Sequence, residues 1–405
     1  MLFLGGAVID GAGTRLEGHG VLVEGGRIRR LAPAGEFAGW AGPRVDMAGA
    51  TLLPGLIDCH VHLVYAAEGN PSASMMLLQP GQIVMRALKN AKLSLAGGIT
   101  GLRDCGGKDY LEFSVRDACN SGEELGPTIR AAGRMICMTG GHGNRVGRIA
   151  DGVEEVVKAV REQIHAGSDL IKIMATGGVM TPGVNPEDAH YSPQELAAGI
   201  AEGHRFHKHC ASHAQGSEGI LNAVRGGIDS IEHGIFMTEE CIAEMKARGT
   251  YLVPTLAAVR NIIRNKDNGV PAYAVEKSLR VTEIHTRSIQ AFYKAGGRIA
   301  MGTDAGTPFN RHGENARELE YMVDIGIAPM DAITFSTSAG ADLMRLTDRG
   351  RIAEGKAADL LLVKGDPLAD IAMVADAANH LLVMKNGVVA HDRRAGAAAL
   401  PLAAE

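Results

Sequence analysis

The chain has 405 residues, 46% of them hydrophobic and 21% charged, a composition typical of a soluble globular protein with one large domain and a smaller one. The net charge of −5 offers no basic surface for nucleic acid, and no apolar run is long enough to span a membrane. The N-terminus lacks the basic and apolar regions of a signal peptide, so we expect a cytoplasmic protein whose six cysteines are reduced.

Both ends of the chain carry short β-like segments. LFLGGAVID and GVLVEGGRIRRL, within the first fifty residues, predict β-hairpins, and ADLLLVKGD and HLLVMKNGVVA near the other end have the same pattern. We therefore predict a small β-sandwich formed by both termini, over residues 1–52 and 346–395. Residues 53–345 would form the main domain, and residues 396–405 a tail.

Eight apolar strand-like runs alternate with helical patterns in the main domain, which predicts an α/β fold with parallel strands. The runs are 51–60, 98–104, 128–136, 169–175, 210–214, 228–233, 250–255 and 297–304. Eight such strands close into a (β/α)8 TIM barrel. A doubly wound open sheet is the alternative, but no glycine-rich segment follows the strand–GxGxxG–helix layout of that fold.

Polar residues fall within or at the C-terminal ends of five of these runs, the end that carries the active site in a (β/α)8 barrel. They are His60, Lys172, His213, His233 and Asp304. His62, two residues after His60, lies on the same face of an extended segment, so both rings can reach one metal ion. Imidazole ligands favour zinc or a similar divalent metal.

Each residue alone also has a structural interpretation. A single histidine at a strand end is more often a hydrogen-bonded structural residue, and Asp304 could cap the following helix. Lys172 is harder to explain in this way, because a lysine within DLIKIMA is costly to bury unless something uses it. Six coincidences at matching positions favour a metal site.

The order of these motifs resembles the amidohydrolase superfamily from about residue 3 to residue 392. LPGLIDCHVHL is similar to its first strand with the HxH pair, and SHAQG, SIEHG and MGTDAG are similar to its later ligand positions. DLIKIMATGGVMTPG and EDAHYSPQEL resemble the branch that contains Xaa-Pro dipeptidases, Xaa-Arg carboxypeptidases and ochratoxin-type amidases. RGRIAEGKAADLLLVKGDPLADI and VMKNGVVA are similar to its closing sandwich.

The resemblance implies two divalent metal ions, expected to be zinc, and a homo-oligomer. By this resemblance His60, His62 and Asp304 would bind one ion, and His213 and His233 the other. Lys172 would be carboxylated by carbon dioxide, and its carbamate would bridge the ions. A hydroxide shared by both ions would attack an amide carbonyl, while Asp304 would transfer the proton to the leaving amine.

Candidate substrate contacts are less specific. His142, in the TGGHG loop after the third strand, lies close to substrate in the branch that the chain resembles, so we assign it a catalytic or substrate-binding role. The other candidates are Arg145, Arg148 and Arg311, which could bind a substrate carboxylate, and Tyr191. Each could equally be a solvated or structural loop residue. His204, His207 and His209 precede the fifth strand and are interpreted as a structural cluster at the opposite end of the barrel.

Three functions remain open at this point. The first is a dipeptidase or N-acyl-amino-acid amidohydrolase acting on a small-molecule amide or dipeptide, with the Xaa-Pro type favoured. The second is a hydrolase of a cyclic or non-peptide amide, as in imidazolonepropionase-like, mycotoxin-degrading or herbicide-degrading relatives. The third is a non-catalytic protein that has lost its metals, and the presence of all six ligands argues against it.

Overall fold

The computed structural model describes residues 1–394, so the predicted tail at 396–405 lies outside the described residues. The strands are β1 (Leu2–Leu4), β2 (Ala7–Ile9), β3 (Arg15–Leu16), β4 (His19–Glu24), β5 (Arg27–Pro33), β6 (Arg44–Asp46), β7 (Ala50–Pro54), β8 (Leu56–Val61), β9 (Ile99–Asp104), β10 (Thr128–Ala131), β11 (Ile136–Cys137), β12 (Arg148–Ile149), β13 (Leu170–Met174), β14 (His209–Ala214), β15 (Ser230–His233), β16 (Tyr251–Val253), β17 (Leu360–Lys364), β18 (His380–Lys385) and β19 (Val388–Asp392). The helices are α1 (Pro71–Met75), α2 (Pro80–Ala96), α3 (Glu112–Ser121), α4 (Gly152–Ala166), α5 (Pro193–Arg205), α6 (Ser217–Arg225), α7 (Glu239–Arg248), α8 (Leu256–Arg264), α9 (Ala272–Lys294), α10 (Arg317–Asp324), α11 (Pro329–Phe335), α12 (Ser338–Leu343) and α13 (Ala372–Ala375).

The central domain is a barrel of parallel strands. β8, β9 and β10 pair in sequence, and so do β13, β14, β15 and β16. The amide of Asp169 donates to the carbonyl of Ala131 at 2.9 Å and joins β10 to β13. The segment 299–305 closes the circle, because it bridges to Leu252 in β16 and to Val61 in β8. The predicted (β/α)8 barrel is confirmed.

Three predicted strands differ in detail from the observed ones. The run 51–60 is divided at Gly55 into β7, which belongs to a sheet with the terminal strands, and β8, which belongs to the barrel. The run 128–136 is divided into β10 and β11 at Gly133, whose φ of +75° breaks the extended conformation. The eighth strand is formed by backbone bonds at separate points of 299–305 rather than by a continuous ladder. None of these differences changes the order of the strands around the barrel.

The smaller domain is a sandwich built from both ends of the described chain. One sheet has the order β5-β4-β1-β6, and the other has the order β19-β18-β17-β7-β2-β3. Side chains of both sheets share one apolar core, including Phe3, Val21, Leu52, Leu360 and Met384. The sandwich itself agrees with the sequence, while the exact domain boundaries remain a prediction.

The sandwich is connected directly to the first strand of the barrel. β7 pairs with β17, and only Gly55 separates β7 from β8, which carries His60. Within the barrel, Asp58 of β8 is fully buried and accepts hydrogen bonds from the amides of His60 at 3.0 Å and Thr303 at 3.1 Å. This carboxylate therefore holds the first and last strands together beside the site. No helix in residues 1–394 has both the length and the apolar character needed to span a membrane.

Candidate metal centre

One cavity of about 300 Å³ opens at the C-terminal ends of the barrel strands. The six predicted ligands all line it, and they come from β8 and the residue after it, from β13, β14 and β15, and from the segment 299–305: His60, His62, Lys172, His213, His233 and Asp304. The strand register explains the proximity of two of them, because Met174 pairs with His213 and Ala214 pairs with His233. Parallel strands thus bring residues that are distant in sequence to one level of the barrel.

His60, His62 and Asp304 form a compact donor group. The Nε2 atoms of His60 and His62 lie 3.5 Å and 3.2 Å from Oδ1 of Asp304. The Nδ1 atoms are used elsewhere: that of His60 lies 2.7 Å from the Glu232 carboxylate, and that of His62 donates to the carbonyl of Gly106 at 2.7 Å. The ligand atoms lie within 4.8 Å of one another, close enough to hold one metal ion.

His213 and His233 form a second pair of imidazoles, with ring centroids 4.6 Å apart. Nε2 of His213 donates to the carbonyl of Gly177 at 2.8 Å, which leaves Nδ1 available. The Thr255 hydroxyl donates to the carbonyl of Pro254 and therefore accepts from Nδ1 of His233 at 2.7 Å, which leaves Nε2 with a lone pair. Each ring is fixed with one free acceptor nitrogen.

Lys172 lies among these ligands with only 1% of its surface exposed, and its Nζ has no hydrogen-bond partner among the described residues. Oδ1 of Asp304 is likewise buried without a hydrogen-bond donor there. Buried polar atoms are normally satisfied, so two unsatisfied ones beside four imidazoles need a further partner. The donor set therefore fits a group of divalent metal ions.

Burial keeps most of these imidazoles neutral, the form that binds metal. Desolvation lowers the pKa of His60, His213 and His233 well below the ordinary value, and neighbouring positive or imidazole groups lower it further. Burial also opposes the charged form of His62, but the nearby carboxylates of Asp304 and Asp104 and the contact with the Gly106 carbonyl together outweigh it and raise the pKa of His62.

The backbone is strained at three strand ends around the cavity. His233, Thr255 and Asp304 have φ values of +75°, +52° and +63°, a region that residues with a side chain seldom adopt. Such conformations persist where the surrounding structure enforces them, and they concentrate at functional sites. Here the strained residues are two predicted ligands, His233 and Asp304, and Thr255, whose hydroxyl orients the ring of His233.

The sequence interpretation missed the charged pair that supports His60. Glu232 is completely buried and accepts a hydrogen bond from Nη2 of Arg103 at 2.7 Å as well as contacting His60. Arg103 also donates to Ser230 and to the carbonyl of Cys59. The signal was present, because GLRD and SIEH each place a charge inside an apolar strand, as DLIKIMA does for Lys172.

Only two of the candidate substrate residues reach the cavity. His142 and Arg145 line it, and Nδ1 of His142 is hydrogen-bonded to the Thr181 hydroxyl at 2.7 Å. The hydroxyl of Tyr191 instead donates to the carbonyl of Ala150 within the core.

The other two arginines point elsewhere. Arg148 pairs with Glu155 and Glu162 on the surface, at 3.0 Å and 2.6 Å. The side chain of Arg311 is 66% exposed and does not line the cavity. Loop position placed these residues near the correct end of the barrel, but it did not determine the direction of their side chains.

The predicted structural cluster lies where expected, at the start of β14. His204 and Asp229 are 2.8 Å apart, and His209 lies 3.8 Å from the same carboxylate. These groups belong to the opposite end of the strand from His213 and do not reach the cavity.

The rest of the cavity wall is mainly apolar, with contributions from Met135, Val146, Met174, Ile235, Val259 and Ile262. Among the described residues, Asp304 is the only carboxylate that lines it, and Arg145 is the only arginine. The cavity therefore suits an uncharged or anionic molecule with an apolar body.

Comparison with known proteins agrees with this architecture. The sequence profile of the amidohydrolase family matches residues 51–390. Ochratoxinase of Aspergillus niger is 31% identical over 366 residues, which cover 83% of this chain and 75% of that protein.

Two solved structures are also similar over nearly the whole chain. A Xaa-Pro dipeptidase with methionine bound in its active site has a TM-score of 0.88 and 32% identity, covering 96% of this chain and 98% of that one. A prolidase complexed with N-methylphosphonate-L-proline has a TM-score of 0.87 and 30% identity, covering 97% and 99%.

Proposed function

Because the chain belongs to the amidohydrolase family and is a hydrolytic enzyme, we propose that it cleaves the amide bond of an N-acyl amino acid or dipeptide. The observation that carries this proposal is the cavity in which four imidazoles, Asp304 and Lys172 meet His142 and Arg145. The first group supplies a hydrolytic centre, and the second can bind the polar end of a substrate. This assignment sets aside the non-catalytic alternative.

We assign the six ligands to two zinc ions. His60, His62 and Asp304 would hold one ion, and His213 and His233 the other. Lys172 would carry a carbamate between them, since a carbamate replaces a costly buried cation with an anion that two dications neutralise. When bound, such a pair of ions acidifies a water molecule and polarises the scissile carbonyl.

Asp304 is the proposed proton carrier. Its Oδ1 has no hydrogen-bond donor among the described residues and lies beside the Nε2 atoms of His60 and His62. The carboxylate accepts a proton from the attacking water and delivers it to the leaving amine. His142 faces the same space and donates a hydrogen bond to the bound substrate.

The charges around the cavity favour a substrate with a blocked amino group. Arg145 can pair with the carboxylate of the released amino acid. Asp304 is the only carboxylate among the described lining residues, and it is assigned to the metal centre. No other carboxylate therefore remains to pair with a free α-ammonium group. An N-acyl amino acid meets both conditions better than a dipeptide does. Proline is favoured in the released position because of the dipeptidase and prolidase relatives.

A second candidate is the hydrolysis of a non-peptide or cyclic amide. It is supported by the identity with ochratoxinase and by the apolar wall, which could accept an aromatic or cyclic acyl group. The homo-oligomeric state and the cytoplasmic location remain predictions.

A substrate panel on the zinc-loaded enzyme separates these candidates. The informative pair is methionyl-proline against N-acetyl-methionyl-proline, beside Xaa-Arg dipeptides, lactams and ochratoxin-like amides. We expect a higher kcat/KM for the acetylated member of the pair. A preference for the free dipeptide would contradict the charge argument, and turnover of lactams alone would favour the second candidate.

Asp304→Asn tests the mechanism. It should retain the fold and most of the zinc but lose at least about a hundredfold in kcat, because the amide cannot carry the proton. Asp324→Asn removes a half-exposed carboxylate paired with Arg260 and serves as the control. Activity of the Asp304 variant close to that of the control would overturn the assignment.

A further inference from the structure

The loop that follows β13 forms one wall of the cavity. Val179, Met180, Thr181 and Pro182 all line the cavity, and none of them belongs to a helix or a strand. A wall without regular secondary structure needs other contacts to keep one conformation. These contacts come from α9, which lies far along the chain.

Lys277 of α9 supplies three polar contacts to the loop. Its Nζ donates to the carbonyl of Val184 at 2.6 Å, to that of Thr181 at 2.8 Å and, more weakly, to that of Gly178 at 3.5 Å. An ammonium group has three N–H bonds, so these carbonyls use its full capacity. A single side chain therefore fixes the stretch 178–184 at three points.

Two neighbours on the same face of α9 hold the loop as well. The hydroxyl of Tyr273 donates to the carbonyl of Met180 at 3.1 Å, and Arg280 forms an ion pair with Glu187. Residues 273, 277 and 280 are spaced by four and three positions, which places them on one side of a helix. The contact between α9 and the loop is thus continuous.

The loop in turn fixes the ring of His142. Nδ1 of His142 lies 2.7 Å from the Thr181 hydroxyl, for which the described residues offer no other acceptor. We therefore assign the hydroxyl as the donor to Nδ1, which places the proton of the ring on Nε2. The ring also lies against Gly178, where a Cβ atom would come within 2.6 Å of Nε2. Its position thus depends on two loop residues whose carbonyls Lys277 holds.

We propose that Lys277 is a positioning residue for substrate binding, because it holds Thr181 and Gly178 in the conformation that directs Nε2–H of His142 at the substrate. The proposal rests on the proposed function, which assigns His142 to the substrate. Lys277 itself does not line the cavity and acts only through the loop.

The first test does not depend on activity. Lys277→Met keeps an unbranched side chain one atom shorter and removes the three donors, and Lys294→Met changes an exposed lysine on the last turn of the same helix. Amide hydrogen exchange followed by mass spectrometry should become faster at residues 178–184 in the first variant only. Unchanged exchange there would overturn the proposal, whether or not a substrate has been found.

The second test uses the best substrate of the panel. Lys277→Met should raise KM about tenfold with kcat within a factor of about three, since it weakens one hydrogen bond to the bound substrate. A purely structural role would lower the melting temperature and the amount of active enzyme without changing KM, and that result would contradict the proposal.

A double variant that combines Lys277→Met with Thr181→Val tests the route through Thr181. Thr181→Val replaces the hydroxyl by a methyl group, and this single variant remains informative should Lys277→Met fail to fold. If Lys277 acts through Thr181 and His142, the double variant has a KM no higher than that of the worse single variant. Fully multiplicative effects would show that the two residues act independently and would overturn the route.

Discussion

The carboxylate of Glu232 lies 2.7 Å from Nδ1 of His60, and both groups are buried. The other oxygen of Glu232 accepts from Arg103 at 2.7 Å and from Ser230 at 2.5 Å. This arrangement makes His60 a donor through Nδ1 and leaves Nε2 as the acceptor that faces Asp304. A carboxylate behind a ligating histidine orients the ring and increases its basicity.

Replacing Glu232 should therefore weaken metal binding. In Glu232→Gln we expect zinc affinity to fall by about 10- to 100-fold, measured by competition with a chelator. The variant should also lose stability, by up to about 3–5 kcal/mol, because Arg103 remains buried without its counter-charge. Glu244→Gln, in a surface ion pair with Arg248, is the control. An unchanged zinc affinity would show that the Glu232–His60 contact does not support the site.

Replacing Lys172, whose Nζ has no partner among the described residues, should stabilise the metal-free protein but weaken its binding of zinc. Without metal, Lys172→Met should raise the free energy of unfolding by about 1–3 kcal/mol, because it removes a buried polar group that has no partner. The same variant should bind less zinc per chain, and a chelator should no longer lower its melting temperature.

Denaturant titration with and without chelator measures both effects. Lys246→Met, at an exposed position of α7, is the control. A metal-free Lys172→Met protein less stable than the wild type would mean that Nζ is already satisfied.

Gly178 should be required for the position of His142. In Gly178→Ala the new methyl group would meet the imidazole ring, which must then move. We expect kcat/KM to fall about tenfold or more, with the zinc content unchanged. Gly81→Ala adds a methyl group in open space at the start of α2 and is the matched control. Equal activities of the two variants would show that His142 can move without cost.

The six cysteines should be unreactive in the folded protein. All are buried and free, and burial raises the pKa of Cys105 and Cys137 to about 12 and that of Cys119 to about 11. A raised pKa lowers the thiolate fraction at pH 8, and the thiolate is the form that attacks a disulfide reagent. We expect no rapid reaction with such a reagent in the native protein and six thiols after denaturation. Rapid titration of any thiol in the native state would contradict this expectation.

The barrel and the residues that meet in its cavity could be predicted because both follow local patterns. Eight apolar runs predicted the barrel strands. The two-residue spacing of His60 and His62 predicted that both rings lie on one face of an extended segment. The position of Lys172 inside an apolar run predicted a functional role for this lysine. The structure brings these residues into one cavity, as the positions at strand ends implied.

The remaining features depend on tertiary contacts that no local pattern records. The pair formed by Arg103 and Glu232 joins β9 to β15, and the direction of a loop side chain is set by what packs around it. For this reason Tyr191, although it follows the correct strand, turns into the core towards Ala150. Lys277 likewise gave no signal, because a lysine on an amphipathic helix is normally solvated.

The pairing of β7 with β17 has a consequence for biosynthesis. Pro54 pairs with Leu360, so a ribosome releases most of the barrel before β7, which already has β2 on one side, receives β17 on the other. Until then one edge of β7 is open to pairing with another nascent chain. Shortening the chain before β17 should therefore leave an aggregation-prone edge on the strand that leads into β8, even though the barrel sequence itself would be intact.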